Sequence, residues 1–207
     1  MPGSKEILAG LYSIANSSPS LAAAWHLYFL FVAGALASGV RPSRRLAGLL
    51  LTLPLFSVSD LAWLSGNPFN GTAFGLLGIA LIAVAVRLSG AKIDIGPNWM
   101  VVPGLVLFTF GWLYPHFLET NSLVPYLYAA PTGLVPCPTL SIIIGSTLVV
   151  DGLSSRAWCI TLGAAGIFYG VFGVLRLGVT IDGLLMLGAL VLIGASLANG
   201  LRRQATS

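Results

Sequence analysis

Between Val124 and Asp151 the chain reads VPYLYAAPTGLVPCPTLSIIIGSTLVVD, apolar enough to enter a bilayer yet carrying Pro131, Pro136 and Pro138 around Cys137. A proline inside a helix removes a donor and its ring clashes with the preceding turn. Three prolines within eight residues therefore exclude one straight helix. In hydrocarbon a broken backbone survives only where protein or a wet cavity satisfies the freed groups. The rest of the chain must build that shelter, and proline-bracketed Cys137 is the leading candidate for a working site.

Composition fixes the class. Charged residues make up 8% of the chain and hydrophobic ones 57%, with a mean hydropathy of +0.93. Soluble domains carry about 25% charged residues. Several uncharged runs near the length of a membrane crossing place the chain among polytopic membrane proteins. They use up almost all of its length, so residues 1–207 are expected to form a single integral membrane domain, with residues 1–20 as an N-terminal interfacial segment. No signal-peptide pattern follows Lys5 and Glu6, and insertion is expected to be driven by the first membrane helix. The pI near 9.4 reflects basic residues scattered through short loops, so it argues for orientation signals and against nucleic acid as a partner.

The pattern predicts an all-α bundle of seven segments. They span residues 21–40, 46–64, 72–88, 99–118, 139–150, 157–175 and 181–197, after a weakly amphipathic piece from Ile7 to Ala15. Asn199-Gly200 and Arg202-Arg203 are read as the end of the last. With the N-terminus outside, Arg41, Arg44, Arg45, Arg87, Lys92, Arg156, Arg202 and Arg203 gather on the inner side, against Lys5 and Arg176 outside. That asymmetry favours N-out, C-in. Residues 139–150 span only ~18 Å at 1.5 Å per residue, well short of the ~30 Å hydrocarbon core. The fifth segment is therefore expected to be a half-helix after an unwound stretch, with its positive end directed at Cys137.

Polar residues in membrane segments are candidate site residues because burying them is costly. The topology gives one outer depth to Cys137, Tyr114, His116, Glu119, Asp60, His26 and Asp182. Alternatives stand beside each reading. His26 and His116 also suit an interfacial aromatic belt, Asp182 a helix cap, Asp60 a structural acid, and Cys137 a small buried hydrophobe. Asp151 reads as an inner charge pair with Arg156, and Cys159 as packing. Gly163, Gly166, Gly170 and Gly173 supply small-residue spacing for a close helix contact. No HExxH, GxSxG, P-loop or Cys-x-x-Cys pattern is present, and the seventh segment has no lysine for a retinal Schiff base.

Pro131-Thr132-Gly133 with Pro136-Cys137-Pro138-Thr139, then Gly178-Val179-x-x-Asp182-Gly183-Leu184-Leu185, resembles an uncharacterised bacterial multi-pass membrane family, a domain of unknown function. Asn67-Pro68 leading into Phe74-Gly75 is similar to it as well, and the resemblance covers roughly residues 60 to 190. It implies a multi-pass fold in a bacterial inner membrane and no particular reaction.

Three function classes follow. The first is transport or binding of a small solute or metal ion, in which Cys137 and His116 would suit zinc or copper. The second is a non-catalytic subunit or assembly factor, whose partners beyond the bilayer would be other membrane subunits or a second copy. The third is a membrane enzyme with no assigned catalytic residue, using His116, Glu119 or Asp60 as acid–base groups beside Cys137. Haem held by His26 and His116 is a weaker cofactor reading.

Overall fold

The computed structural model describes residues 3–205, with side chains through residue 198, and among these it is helical without strands. Helix α1 (Ser4–Ser17) is the amphipathic piece, and its start is closed by the Glu6 carboxylate, which accepts the Gly3 N–H at 2.8 Å. Helices α2 (Pro19–Ala37), α3 (Arg44–Leu64) and α4 (Pro68–Ala85) follow, each opened by recognisable chemistry. Proline stands in the first turn of α2 and α4, the Ser43 hydroxyl accepts the Leu46 N–H, and the Asn67 side chain accepts the Asn70 N–H. Then come α5 (Asn98–Leu113), the single turn α6 (Tyr126–Ala129), α7 (Pro136–Val149), α8 (Arg156–Val171) and α9 (Gly183–Ala205). A wide π-turn, Phe172–Leu177, extends α8 and ends at Gly178, whose φ is 74°.

Five of these units are long and apolar enough to cross a membrane: α2, α3, α4, α8 with its π-turn, and α9. The other two expected segments are shorter. The fourth stops at Leu113 rather than Leu118, because Pro115 disfavours helical geometry at Tyr114, which sits at φ 3°, ψ 89°. At 16 and 14 residues, α5 and α7 are about 24 and 21 Å long. The last segment runs past Asn199-Gly200 to Ala205, and the side chains of Arg202 and Arg203 lie outside the described residues.

A short α7 is tolerated because it touches little but protein. Every residue from Ala129 to Leu148 is buried, and α5, α8, α9 and α3 surround the helix. The α5–α7 crossing is made of glycine. A Cβ on Gly145 would stand 2.5 Å from the Phe108 nitrogen and 2.6 Å from the Gly104 oxygen; one on Gly111 would stand 2.6 Å from the Ile142 nitrogen. The glycine stripe of α8 works similarly against α9: Gly163 faces Ile193, Gly166 faces Ala189 and Gly170 faces the Met186 backbone. Between α7 and α8 the chain reverses through four consecutive residues with positive φ, Asp151 to Ser154. The Cys159 thiol, 3.4 Å from the Gly152 oxygen, and the Trp158 indole, 3.2 Å from the Thr147 hydroxyl, brace this turn.

The loops meet in two groups. At one end the α2–α3 turn joins the α4–α5 loop: Arg44 pairs with Asp94 at 2.8 Å, Arg45 reaches the Leu88 carbonyl, and Ile93 N–H donates to Pro42. The Gly96 N–H donates to Val149, bringing the end of α7 to the same place. At the other end lie the start of α7, the end of α5, the start of α9 and helix α1.

Replacing Gly145 by valine should force α5 and α7 apart and lower stability by about 1–3 kcal/mol or more. Gly194, with nothing within 4 Å of a built Cβ, serves as the control: alanine there should be neutral or stabilise by up to ~1 kcal/mol. Thermal unfolding midpoints of the two variants in one detergent check both expectations.

Candidate functional site

The entry to α7 is built from its own sequence. Pro136 and Pro138 occupy the first and third helical positions, with Cys137 between them. The N–H groups of a helix's first turn have no partner within the helix, and burial makes such orphans costly. The two prolines have no N–H, so Cys137 alone carries a free donor among these three. The chain arrives through residues 130–135, all buried, which turn at Gly133 with φ 78°. A Cβ at Gly133 would collide with the Trp25 ring. The Gly133 N–H donates to the Thr139 hydroxyl at 2.8 Å, that hydroxyl donates to Val135 at 2.7 Å, and the Thr132 hydroxyl donates to Gly111 at 2.5 Å. The expected unwound stretch and half-helix are present, with the helix beginning at Pro136.

Cys137 shares this end with two residues from distant parts of the chain. The Tyr114 hydroxyl, on the residue closing α5, donates to the Asp182 carboxylate at 2.6 Å, and both side chains are buried. The Cys137 thiol lies within interaction range of both. Among the described residues no cation forms an ion pair with Asp182. Space for its carboxylate comes from Gly173 in the π-turn, where a Cβ would overlap the carboxylate oxygen. Asp182 therefore reaches across to α5 rather than capping α9.

The other expected site residues lie apart from this trio. His26 is buried, with Nδ1 2.8 Å from the Ala22 oxygen and Nε2 3.0 Å from the Trp112 oxygen, strapping α2 to the end of α5. The His116 ring packs against Tyr12 at 5.6 Å and Phe117 at 4.3 Å. Glu119 is exposed, and its N–H donates to the Asn16 side chain at 3.0 Å. Asn16 also donates to the Phe117 carbonyl at 2.8 Å, so the 114–119 loop mainly fastens α1. Asp60 is exposed on α3. Among the described residues no group of three or more His, Cys, Asp or Glu side chains is set to hold a metal. The donor set imagined for zinc or copper at Cys137 and His116 is not assembled.

Cys137 opens into a cavity of about 370 Å³. Helix α1 roofs it with Ile7 and Leu11, and Phe117, Phe168, Phe172 and Leu177 form apolar walls. Its polar lining is sparse: Cys137, Asn67, Asn70, Tyr169 and Arg176. Asn70 and Tyr169 are buried and satisfy each other, the tyrosine hydroxyl donating to the Asn70 side-chain oxygen at 3.1 Å. Sequence reasoning passed over Asn70, Tyr169 and Arg176. A tyrosine and an asparagine inside otherwise apolar helices were the available signal for the first two.

Fold and site together define, among the described residues, an all-helical protein with five helices able to cross a membrane and a buried Tyr–Asp–Cys cluster beside an apolar cavity. No protein-family model, curated protein or solved structure matches the chain.

Tyr114→Phe removes the hydroxyl donor from a buried carboxylate and should destabilise by about 1–3 kcal/mol. Asp182→Asn keeps an acceptor for the tyrosine without the charge and should cost less; thermal unfolding midpoints rank the two. Burial pushes the His116 imidazole below its ordinary value of 6.5. The unfolded chain then takes up a proton more readily, so stability falls as pH drops through 6.5. His116→Phe should flatten that dependence in melts recorded against pH.

Proposed function

We propose that this chain is a seven-segment, N-out, C-in protein of a bacterial inner membrane that binds or transports a small, largely apolar solute. One observation carries the reading: the enclosed half-helix α7 presents Cys137 to a cavity of about 370 Å³ whose walls are apolar and whose few polar groups converge. Small-molecule sites are typically clefts of ~300–1,000 Å³ with this balance. A buried, broken backbone at such a cavity is also how transporters build binding sites at membrane depth.

The orientation is supported by how the basic residues are grouped. Arg44 and Arg45 open α3 and Lys92 lies in the α4–α5 loop beside them at one end of the bundle, and the cavity lies at the other. Read with the positive-inside rule, this directs the cavity outward. Five helices meet the length for crossing, and α5 and α7 complete the seven as shorter segments, of which α7 is sheltered by its neighbours. An apolar ligand is favoured over a metal because, among the described residues, no group of three or more His, Cys, Asp or Glu side chains gathers at Cys137, while the cavity walls are apolar.

A Cys159→Ala background leaves Cys137 as the sole thiol. A charged methanethiosulfonate reagent added to right-side-out vesicles should label it; labelling from the inner side alone would reverse the orientation. The purified protein should also bind 1-aminoanthracene saturably. Leu11→Trp or Leu177→Trp, each filling the cavity, should weaken that binding by about tenfold, equivalent to ~1.4 kcal/mol. Binding unaffected by either tryptophan would remove the cavity from the function.

A further inference from the structure

The cavity's chemistry narrows its ligand beyond a small apolar solute. Its lining contains one charged side chain, Arg176, in the last turn of the π-segment at the end of α8. Arg176 is exposed, and among the described residues its guanidinium forms no hydrogen bond or ion pair. Only its backbone is engaged: the Arg176 carbonyl accepts the Ser4 hydroxyl at 2.8 Å, tying the start of α1 to the cavity rim. The walls leading inward from that rim are Leu177, Phe172, Ile7, Leu11 and Phe117. A cation at the mouth and hydrocarbon inside match a molecule with an anionic head and an apolar chain.

Two further features fix the direction. Behind Cys137 at the inner wall stands the buried carboxylate of Asp182. Among the described residues no cation stands beside that carboxyl to pair a buried negative head, so the head belongs at Arg176 and the chain points inward. Arg176 also stands against the charge pattern of the molecule, since Lys5 and Arg176 are the two basic residues that the topology assigns to this end. Guanidinium groups suit this task, because their fork of donors matches carboxylate and phosphate oxygens.

We propose that the cavity binds a single-chain anionic amphiphile, its carboxylate or phosphate at Arg176 and its hydrocarbon chain between α1 and the α8 π-turn. This rests on the reading that the cavity binds a solute.

The experiment is competition against 1-aminoanthracene on the full-length protein, using a saturated fatty acid, the fatty alcohol of equal chain length, and a lysophosphatidic acid. At least one of the two anionic compounds should displace the dye about tenfold better than the alcohol. Arg176→Gln should abolish that preference, and Arg176→Lys should keep part of it. Preference for the acid alone would identify a free carboxylate ligand, and preference for the lysophosphatidate alone a phosphate headgroup; either supports the proposal. Equal displacement by the alcohol, or a preference untouched by Arg176→Gln, would overturn the anionic ligand while dye binding sensitive to Leu11→Trp kept the cavity reading. Absence of saturable dye binding, together with absence of acyl-chain-dependent stabilisation of the wild-type protein against heat, would overturn both.

Discussion

The molecule is organised around a helix that begins in a dry place. Helix α7 starts at Pro136 inside a shell of protein, where an unpartnered N–H has no water to turn to. Prolines at its first and third positions delete two of the donors that would otherwise be orphaned. The Thr139 hydroxyl then satisfies Gly133 and Val135 of the approaching chain, and the Thr132 hydroxyl ties that chain to the Gly111 carbonyl of α5, both without charge. The same prolines that make the segment unfit for a lipid-facing helix thus make it fit for a buried one. What remains polar there is the Cys137 thiol and its own N–H. The surroundings supply the rest: Tyr114 from α5 and Asp182 from the approach to α9.

Enclosing such a helix requires neighbours that come very close, and this explains where glycine is spent. Gly104, Gly111 and Gly145 bring α5 and α7 to backbone contact, and Gly163, Gly166 and Gly170 do the same for α8 and α9. In a bilayer apolar side chains gain little by leaving lipid for protein, so close packing has to hold the bundle together. Gly173 continues the α8 series into the π-turn, but what it approaches is the Asp182 carboxylate. One small-residue stripe therefore serves packing along most of its length and site geometry at its end.

Much of this was legible in the sequence because it depends on local chemistry. Proline spacing located the break before α7, glycine spacing marked a close-contact face on α8 without naming its partner, and alternation of basic loops put Tyr114, Cys137 and Asp182 at one depth. The end of α5 was not legible in the same way: the apolar run continues to Leu118 and sets it too late, whereas the restriction that Pro115 places on Tyr114 ends the helix at Leu113. Depth, however, is only one coordinate. Whether His116 or Tyr114 meets Cys137 depends on the rotational phase of the chain after α5 breaks, and the break directs Tyr114 inward and His116 against Tyr12. Asp60 has a suitable depth on the wrong face of α3. The π-turn hides Arg176 in the same manner, since a wide turn shifts the 3.6-residue phase on which facing arguments rest. Sequence periodicity carried through α8 cannot say that residue 176 borders a cavity.

The cluster and the cavity play different parts, and Cys137 is the joint between them. Tyr114 and Asp182 are absent from the cavity wall and spend their polarity on each other, 2.6 Å apart. Their bond fixes the end of α5 to the start of α9, on either side of the start of α7. Cys137 touches both the bond and the open space, and Gly173 and Phe117 line the same space against Asp182 and Tyr114. A ligand pressing on the cavity's inner wall would therefore act on a polar contact between three helices that otherwise meet through apolar packing. Among the described residues, the Tyr169–Asn70 bond ties α8 to α4 at the same cavity. Under the proposed solute-binding role, occupancy of the cavity would bear directly on α4, α7 and α8 and, through Cys137 and the Tyr114–Asp182 bond, on the ends of α5 and α9.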